Sequence, residues 1–178
     1  MPSTTSKQDY TTGFTVDASA RDVLAAVTDI RGWWSETIQG DTTGLGDVFT
    51  YEVPDVHRCT MTLTELIPGK RVVWHVTDSW IGFVDGDAAE WDGTDIVFDI
   101  DETDAGTHLR FTHLGLAPQV ECFDMCSSAW GTYVASLRSL LVTGAGAPLQ
   151  RHDTIDPEWV KLQQQHLRIA RAANEDKG

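Results

Sequence analysis

The 178-residue sequence predicts an α+β fold: an antiparallel sheet, one face of which is covered by a long helix near the C-terminal end, followed by a further tail helix. Two observations carry this. Several segments alternate apolar and polar residues with period two, which places one side chain in two against a core and leaves the others wet, the habit of antiparallel sheets. From about Val120 to Val142 the period lengthens to that of a helix, with Cys122, Cys126, Trp130, Val134, Leu137 and Leu141 on one stripe and Met125, Ala129, Tyr133, Ser136 and Leu140 on the next. An apolar arc that wide needs burial along most of the helix, and Gly144, Gly146 and Pro148 end it.

In chain order, residues 1–8 are polar and expected to be mobile. Tyr10, Thr12, Phe14 and Val16 alternate with Thr11, Gly13 and Thr15, giving a first strand. Asp17 or Ser19 caps a helix over Ala20–Thr28 that turns its Val23, Leu24 and Val27 inward. Trp33 and Trp34 follow in a turn or short helix, and the Gly- and Thr-rich segment 40–47 reads as a loop. Strands are expected at 48–53, 58–66 and 71–76, the last two joined by Pro68-Gly69. Residues 77–93 fit no period and read as a long loop; strands at 94–101 and from 106 lead to the long helix. Asp156-Pro157-Glu158 signals a tail helix over about 157–173, whose Trp159, Leu162, His166, Ile169 and Ala173 line one side and can dock on the domain or on a second subunit. The expected organisation is one domain over residues 9–146 and a C-terminal extension over 147–178.

Composition narrows the function classes. With 27 acidic and 13 basic residues the net charge is -14, a field that repels nucleic acid and anionic lipid, so neither nucleic acid nor membrane is expected as a partner. No stretch approaches the length of a membrane span, the N-terminal MPSTTSKQDY carries no apolar signal segment, and a cytoplasmic location is expected. Three cysteines, two of them one helical turn apart, make no disulfide framework. Residues 85–95 hold several acids but lack the ligand spacing of a calcium loop, which favours a solvated acidic loop. Cys122 and Cys126 with His113 are a weak ligand set against ordinary cysteine burial, so no metal and no cofactor is expected. Phosphate-loop and nucleophile-elbow motifs are missing. His113 shares the strand face of Leu109 and Phe111, so its imidazole points inward. There it either orients a ligand or moves a proton, or is held by hydrogen bonds inside the core.

Six segments, in order, resemble a known superfamily: Asp17-Ala18-Ser19 with the helix ending Val27-Thr28-Asp29; Trp33-Trp34; Gly46-Asp47-Val48-Phe49; the run from Glu65 to Trp74; the run from Gly106 to Gly115; and Trp130 through Leu141 with Gly144. The sequence resembles the START-like (SRPBCC, helix-grip) superfamily of polyketide cyclases and the birch-pollen allergen over roughly residues 10–144, in the branch of homologues of the heat-shock-protein-90 ATPase activator. The resemblance implies a curved antiparallel sheet wrapped around the long helix, with a cavity between them that takes a small hydrophobic molecule in many members. On that footing Trp33, Trp34, Met61, Trp74, Phe98, Phe111, His113, Met125, Trp130 and Tyr133 are the candidate ligand-binding residues, no catalytic residue being assigned. Two other functions stand beside ligand binding: a cyclase- or hydratase-like activity using His113, and a protein-interaction module related to the chaperone activator. A homodimer through the tail helix or the long loop is also expected. The loop 77–93 and the tail after Gly146 depart from the family pattern, and both bear on the cavity mouth.

Overall fold

In the computed structural model, which describes residues 8–178, seven antiparallel strands form one sheet. The expected mobile segment lies outside the described residues except for its last residue. The elements are β1 (Tyr10–Val16), α1 (Ala20–Thr28), a 3-10 turn (Ile30–Gly32), β2 (Gln39–Gly40), β3 (Val48–Val53), β4 (His57–Ile67), β5 (Arg71–Ile81), β6 (Asp95–Thr103), β7 (Gly106–Leu114), α2 (Phe123–Thr143) and α3 (Pro157–Glu175). The spatial order β1-β7-β6-β5-β4-β3-β2 makes the chain's first strand an edge that pairs with the last. This is the curved, helix-gripping α+β architecture, with α2 as the gripped helix.

Alternation decides which face is which. Cys59, Met61 and Leu63 of β4 and Leu109, Phe111 and His113 of β7 are all fully buried. The opposite face carries polar pairs: Thr50 with Thr60 at 3.0 Å, Arg71 with Asp99 at 2.6 Å and His75 with Asp95 at 2.8 Å. Two register shifts, between Thr60 and Met61 and between Leu63 and Glu65, interrupt the β4–β5 ladder. Such bulges bend and twist a sheet, which lets this one curl around a helix.

Helix ends follow local chemistry. The Ser19 hydroxyl accepts from the Asp22 N–H at 3.0 Å, so Ser19 is the α1 cap. Gly144 ends α2 in the left-handed region at φ 83°, where a side chain is strained. Asp156 caps α3, accepting from Glu158 N at 3.0 Å. Beneath the sheet, Trp74 stacks on Trp33 and Trp34 with centroids 6.2 and 5.8 Å away. Stacked pairs of this kind add about 0.5–1.5 kcal/mol each beyond their buried area.

Two sequence expectations are corrected. The segment 77–81 is not loop but the outer half of β5. The tail helix does dock, but on the face next to the one expected: Val160 and Gln164 are buried, whereas Trp159, Leu162 and Ile169 are 55%, 54% and 67% exposed. The reason is the surface it meets. The start of α2 offers a backbone carbonyl and a carboxylate, so Gln164 Nε2 donates to Glu121 O at 2.6 Å and Arg171 Nε to Asp124 Oδ1 at 2.7 Å. Gln164 and Arg171 therefore turn toward the domain beside Val160, and Leu162 and Ile169 stay outside.

Candidate functional site

A cavity of about 170 Å³ lies between the sheet, the N-terminal half of α2 and the C-terminal extension. Five parts of the chain build its wall. β3, the turn after it and the start of β4 supply Tyr51, Val53, Val56 and His57; the loop after β5 supplies Phe83 and Trp91. Met125, Cys126, Ala129, Trp130 and Tyr133 come from α2, at the spacing of one helix face. Trp34 forms the floor and Ile155, Trp159 and Val160 of the extension form the outer side.

The aromatic rings brace one another. Tyr51 stacks on Trp34 with centroids 4.5 Å apart, and Trp34 meets Trp130 at 4.9 Å. His57 stands edge-to-face between Tyr51 at 5.6 Å and Trp91 at 4.5 Å, while Trp91 stacks on Trp130 at 5.8 Å. The wall carries no Asp, Glu, Lys or Arg. Burial pushes the His57 imidazole down to about 4 and raises the Tyr51, Tyr133 and Cys126 groups above their usual values, so every titratable group of the wall is neutral near pH 7. His57 Nε2 and Trp91 Nε1 are buried without a hydrogen-bond partner, a cost to stability on this side of the cavity.

His113 sits behind this wall, not on it. Trp130 Nε1–H, which can only donate, bonds His113 Nδ1 at 3.1 Å, so Nδ1 carries no proton. The proton of the neutral ring is then on Nε2, which donates to Thr94 Oγ1 at 2.9 Å, and the Thr94 hydroxyl in turn donates to Trp91 O at 2.7 Å. Burial and the neighbouring His57 hold His113 down to about 3. Both its nitrogens are engaged, Nδ1 by Trp130 and Nε2 by Thr94. It positions Trp130 and the Trp91 backbone, two pieces of the cavity wall.

Of the ten candidate residues, the structure brings Trp34, Met125, Trp130 and Tyr133 together on the cavity. Trp33, Met61, Trp74, Phe98, Phe111 and His113 lie instead in the packed core, each fully buried. Alternation could have found Tyr51, in step with Phe49 and Val53, and His57, in step with Cys59 and Met61 once the strand is begun one residue earlier. Trp91 gave no periodic signal. Nor is its loop simply solvated: the Glu90 carboxylate accepts from Glu121 N at 2.7 Å and Cys122 N at 3.1 Å. It thereby caps α2, whose own Cys122 offers no side-chain cap. The Asp92 carboxylate accepts from Ser79 Oγ at 2.7 Å.

The extension reaches the cavity because its first part is tied to the floor. Leu149 N donates to Trp34 O and Glu36 N to Leu149 O, both at 2.9 Å, and Ala147 N donates to Ser136 Oγ at 2.6 Å. Among the described residues no three His, Cys, Asp or Glu side chains gather as a metal centre, and no helix is long and apolar enough to cross a membrane. Cys59, Cys122 and Cys126 are free and buried.

Comparison with known proteins agrees with this architecture. The Aha1 dimer from Colwellia psychrerythraea is similar at TM-score 0.62 and 24% identity, over 78% of this chain and 98% of that one. A protein of Staphylococcus saprophyticus is similar at TM-score 0.59 and 19% identity, over 79% and 96% of the two chains. CalU16 from Micromonospora echinospora matches at TM-score 0.53 and 16% identity, over 86% and 81%. At such identities the likeness establishes the fold alone. No curated protein sequence matches. The family model described as activator of Hsp90 ATPase homolog 1-like protein matches residues 17–142, from the turn before α1 almost to the end of α2, and the chain belongs to that family.

Proposed function

We propose that this protein binds a small, uncharged hydrophobic molecule in the cavity between its sheet, α2 and the extension. The observation that carries the reading is an aromatic cavity whose wall has no charged side chain. Burying a carboxylate or ammonium there without a partner costs several kcal/mol, so the occupant is neutral. At about 170 Å³ the space is close to the ~150 Å³ of an engineered apolar cavity that holds benzene, and below the ~300 Å³ at which drug-sized pockets begin. One or two fused rings suit it, and the flat faces of Trp34 and Trp130 suit rings better than chains.

The test uses 2-naphthol and, as a charged counterpart of comparable apolar area, decanoate. Titration of 2-naphthol is expected to quench tryptophan fluorescence saturably, because Trp34, Trp91 and Trp130 are in the wall. Decanoate is expected to bind at least about tenfold more weakly, the equivalent of only 1.4 kcal/mol of the desolvation cost. Absence of saturable quenching together with no retained molecule in native mass spectrometry removes this reading.

Self-association is a second reading, favoured by the exposed stripe of Trp159, Leu162 and Ile169 along α3 and by the dimeric state named for the Colwellia relative. Sedimentation equilibrium is expected to give twice the 19.6 kDa chain mass, and Ile169→Asp to restore the monomer. A monomer at every concentration ends this reading.

A further inference from the structure

We infer that the C-terminal extension is the specificity-determining wall of the cavity, with the Trp159 indole setting how long a ligand the cavity accepts. The inference rests on the ligand-binding reading above and adds what decides ligand size.

Three observations support it. The family match ends at residue 142, so Ile155, Trp159 and Val160 lie outside the matched segment, yet all three line the cavity. The wall therefore reaches beyond the segment that the family model matches. Next, the extension is held firmly enough to act as a wall. Its path is tied to Trp34 and Glu36 before α3, and α3 is anchored to the start of α2 by Gln164 on Glu121 O at 2.6 Å, Arg168 beside Glu121 at 3.6 Å and Arg171 on Asp124 at 2.7 Å. Finally, the wall residues differ in how freely they can change. Trp34 and Trp130 are each 2% exposed and interlocked with other rings, so enlarging the cavity there opens a void inside the core. Trp159 is 55% exposed, one side toward the cavity and the rest toward water. Removing its indole extends the cavity into solvent without leaving a sealed void, so size selection can change there while the fold stands.

The experiment uses the full chain with two neutral probes, 2-naphthol with two fused rings and N-phenyl-1-naphthylamine with a third ring attached, and reads the ratio of their dissociation constants. The unaltered protein is expected to prefer 2-naphthol by at least about tenfold. Trp159→Ala is expected to shift the ratio by at least about tenfold toward the larger probe, and Trp159→Phe by less. Thermal melting checks that both variants are folded, and the Phe variant keeps the test readable should the Ala variant loosen α3. An unchanged ratio in both variants, with 2-naphthol still bound, overturns the inference and leaves ligand binding intact. Equal binding of the two probes by the unaltered protein overturns it as well. Failure of every folded protein to bind either probe overturns the ligand-binding reading, and this inference with it.

Discussion

Alanine at position 130 is expected to lower the folding free energy by about 4–8 kcal/mol, the largest loss of any single substitution considered for this chain. Two losses add. Deleting a buried tryptophan side chain costs roughly 3–5 kcal/mol in transfer energy and residual cavity. Trp130 is 2% exposed and packs against Trp34, Trp91 and Phe111 at once, so little can collapse into the gap. The second loss is polar: without the indole N–H, His113 Nδ1 becomes a buried acceptor with no donor, worth about 1–3 kcal/mol. Against a typical total of ~5–15 kcal/mol, the variant is left barely folded. Urea denaturation measures this directly. Trp130→Phe keeps a ring and loses the N–H, and pairing it with His113→Phe in a double-mutant cycle isolates the hydrogen bond. Removing both polar partners leaves neither orphaned, so a coupling of roughly 1–3 kcal/mol is expected. If the two single losses simply add to within about 0.5 kcal/mol, the Trp130–His113 bond does not hold the wall as described.

The fold was legible where one pattern ran unbroken. Leu109, Phe111 and His113 keep step through β7, and the α2 stripe from Cys126 to Leu137 runs without interruption to the Gly144 stop, so both elements follow from spacing alone. β5 shows what breaks the signal. Its core-facing residues are Val72, Trp74 and Val76 up to the bulge, then Ser79 and Ile81 after it. One extra residue, Thr77, flips the parity, so the alternation reads as noise from there on and the outer half of the strand looks like loop. The cavity was half legible for a different reason. Periodicity says that a side chain points inward but not what it meets. Trp33, Trp74 and Phe98 point inward as truly as Trp34 does, and meet one another, whereas Trp34 has a face left for the cavity. Deciding between a filled core and a cavity needs the distance from sheet to helix and the course of the extension, which long-range contacts such as Leu149 with Trp34 fix and no local pattern encodes.

Acidification from pH 7 to pH 5 is expected to destabilise the protein by roughly 4 kcal/mol, through His57 and His113. Both are held neutral by burial, with values lowered from the ordinary 6.5 to about 4 and about 3. In the unfolded chain each takes up a proton below about pH 6.5, while in the folded protein neither does so until far lower pH. The unfolded state therefore binds more protons across this interval, and stability falls as pH falls, by up to 1.36 kcal/mol per unit for each ring. Above about pH 6.5 the effect vanishes, because both states are neutral. The interval from pH 7 to 5 lies above the ordinary carboxylate range of about 3.9–4.3, which keeps the acidic residues largely out of the measurement. At about 2–4 °C per kcal/mol for a chain of this length, the melting temperature is expected to drop by about 10 °C. His57→Phe discriminates the source. It preserves the edge-to-face contacts with Tyr51 and Trp91, removes one buried titrating ring and its unpartnered Nε2, and is expected to halve the pH slope while raising stability at pH 5. The remaining half of the slope then belongs to His113, whose ring must give up its bond from Trp130 to accept a second proton. A melting temperature that stays level from pH 7 to 5, or a slope untouched by His57→Phe, contradicts the placement of these two imidazoles as neutral, buried groups behind and within the cavity wall.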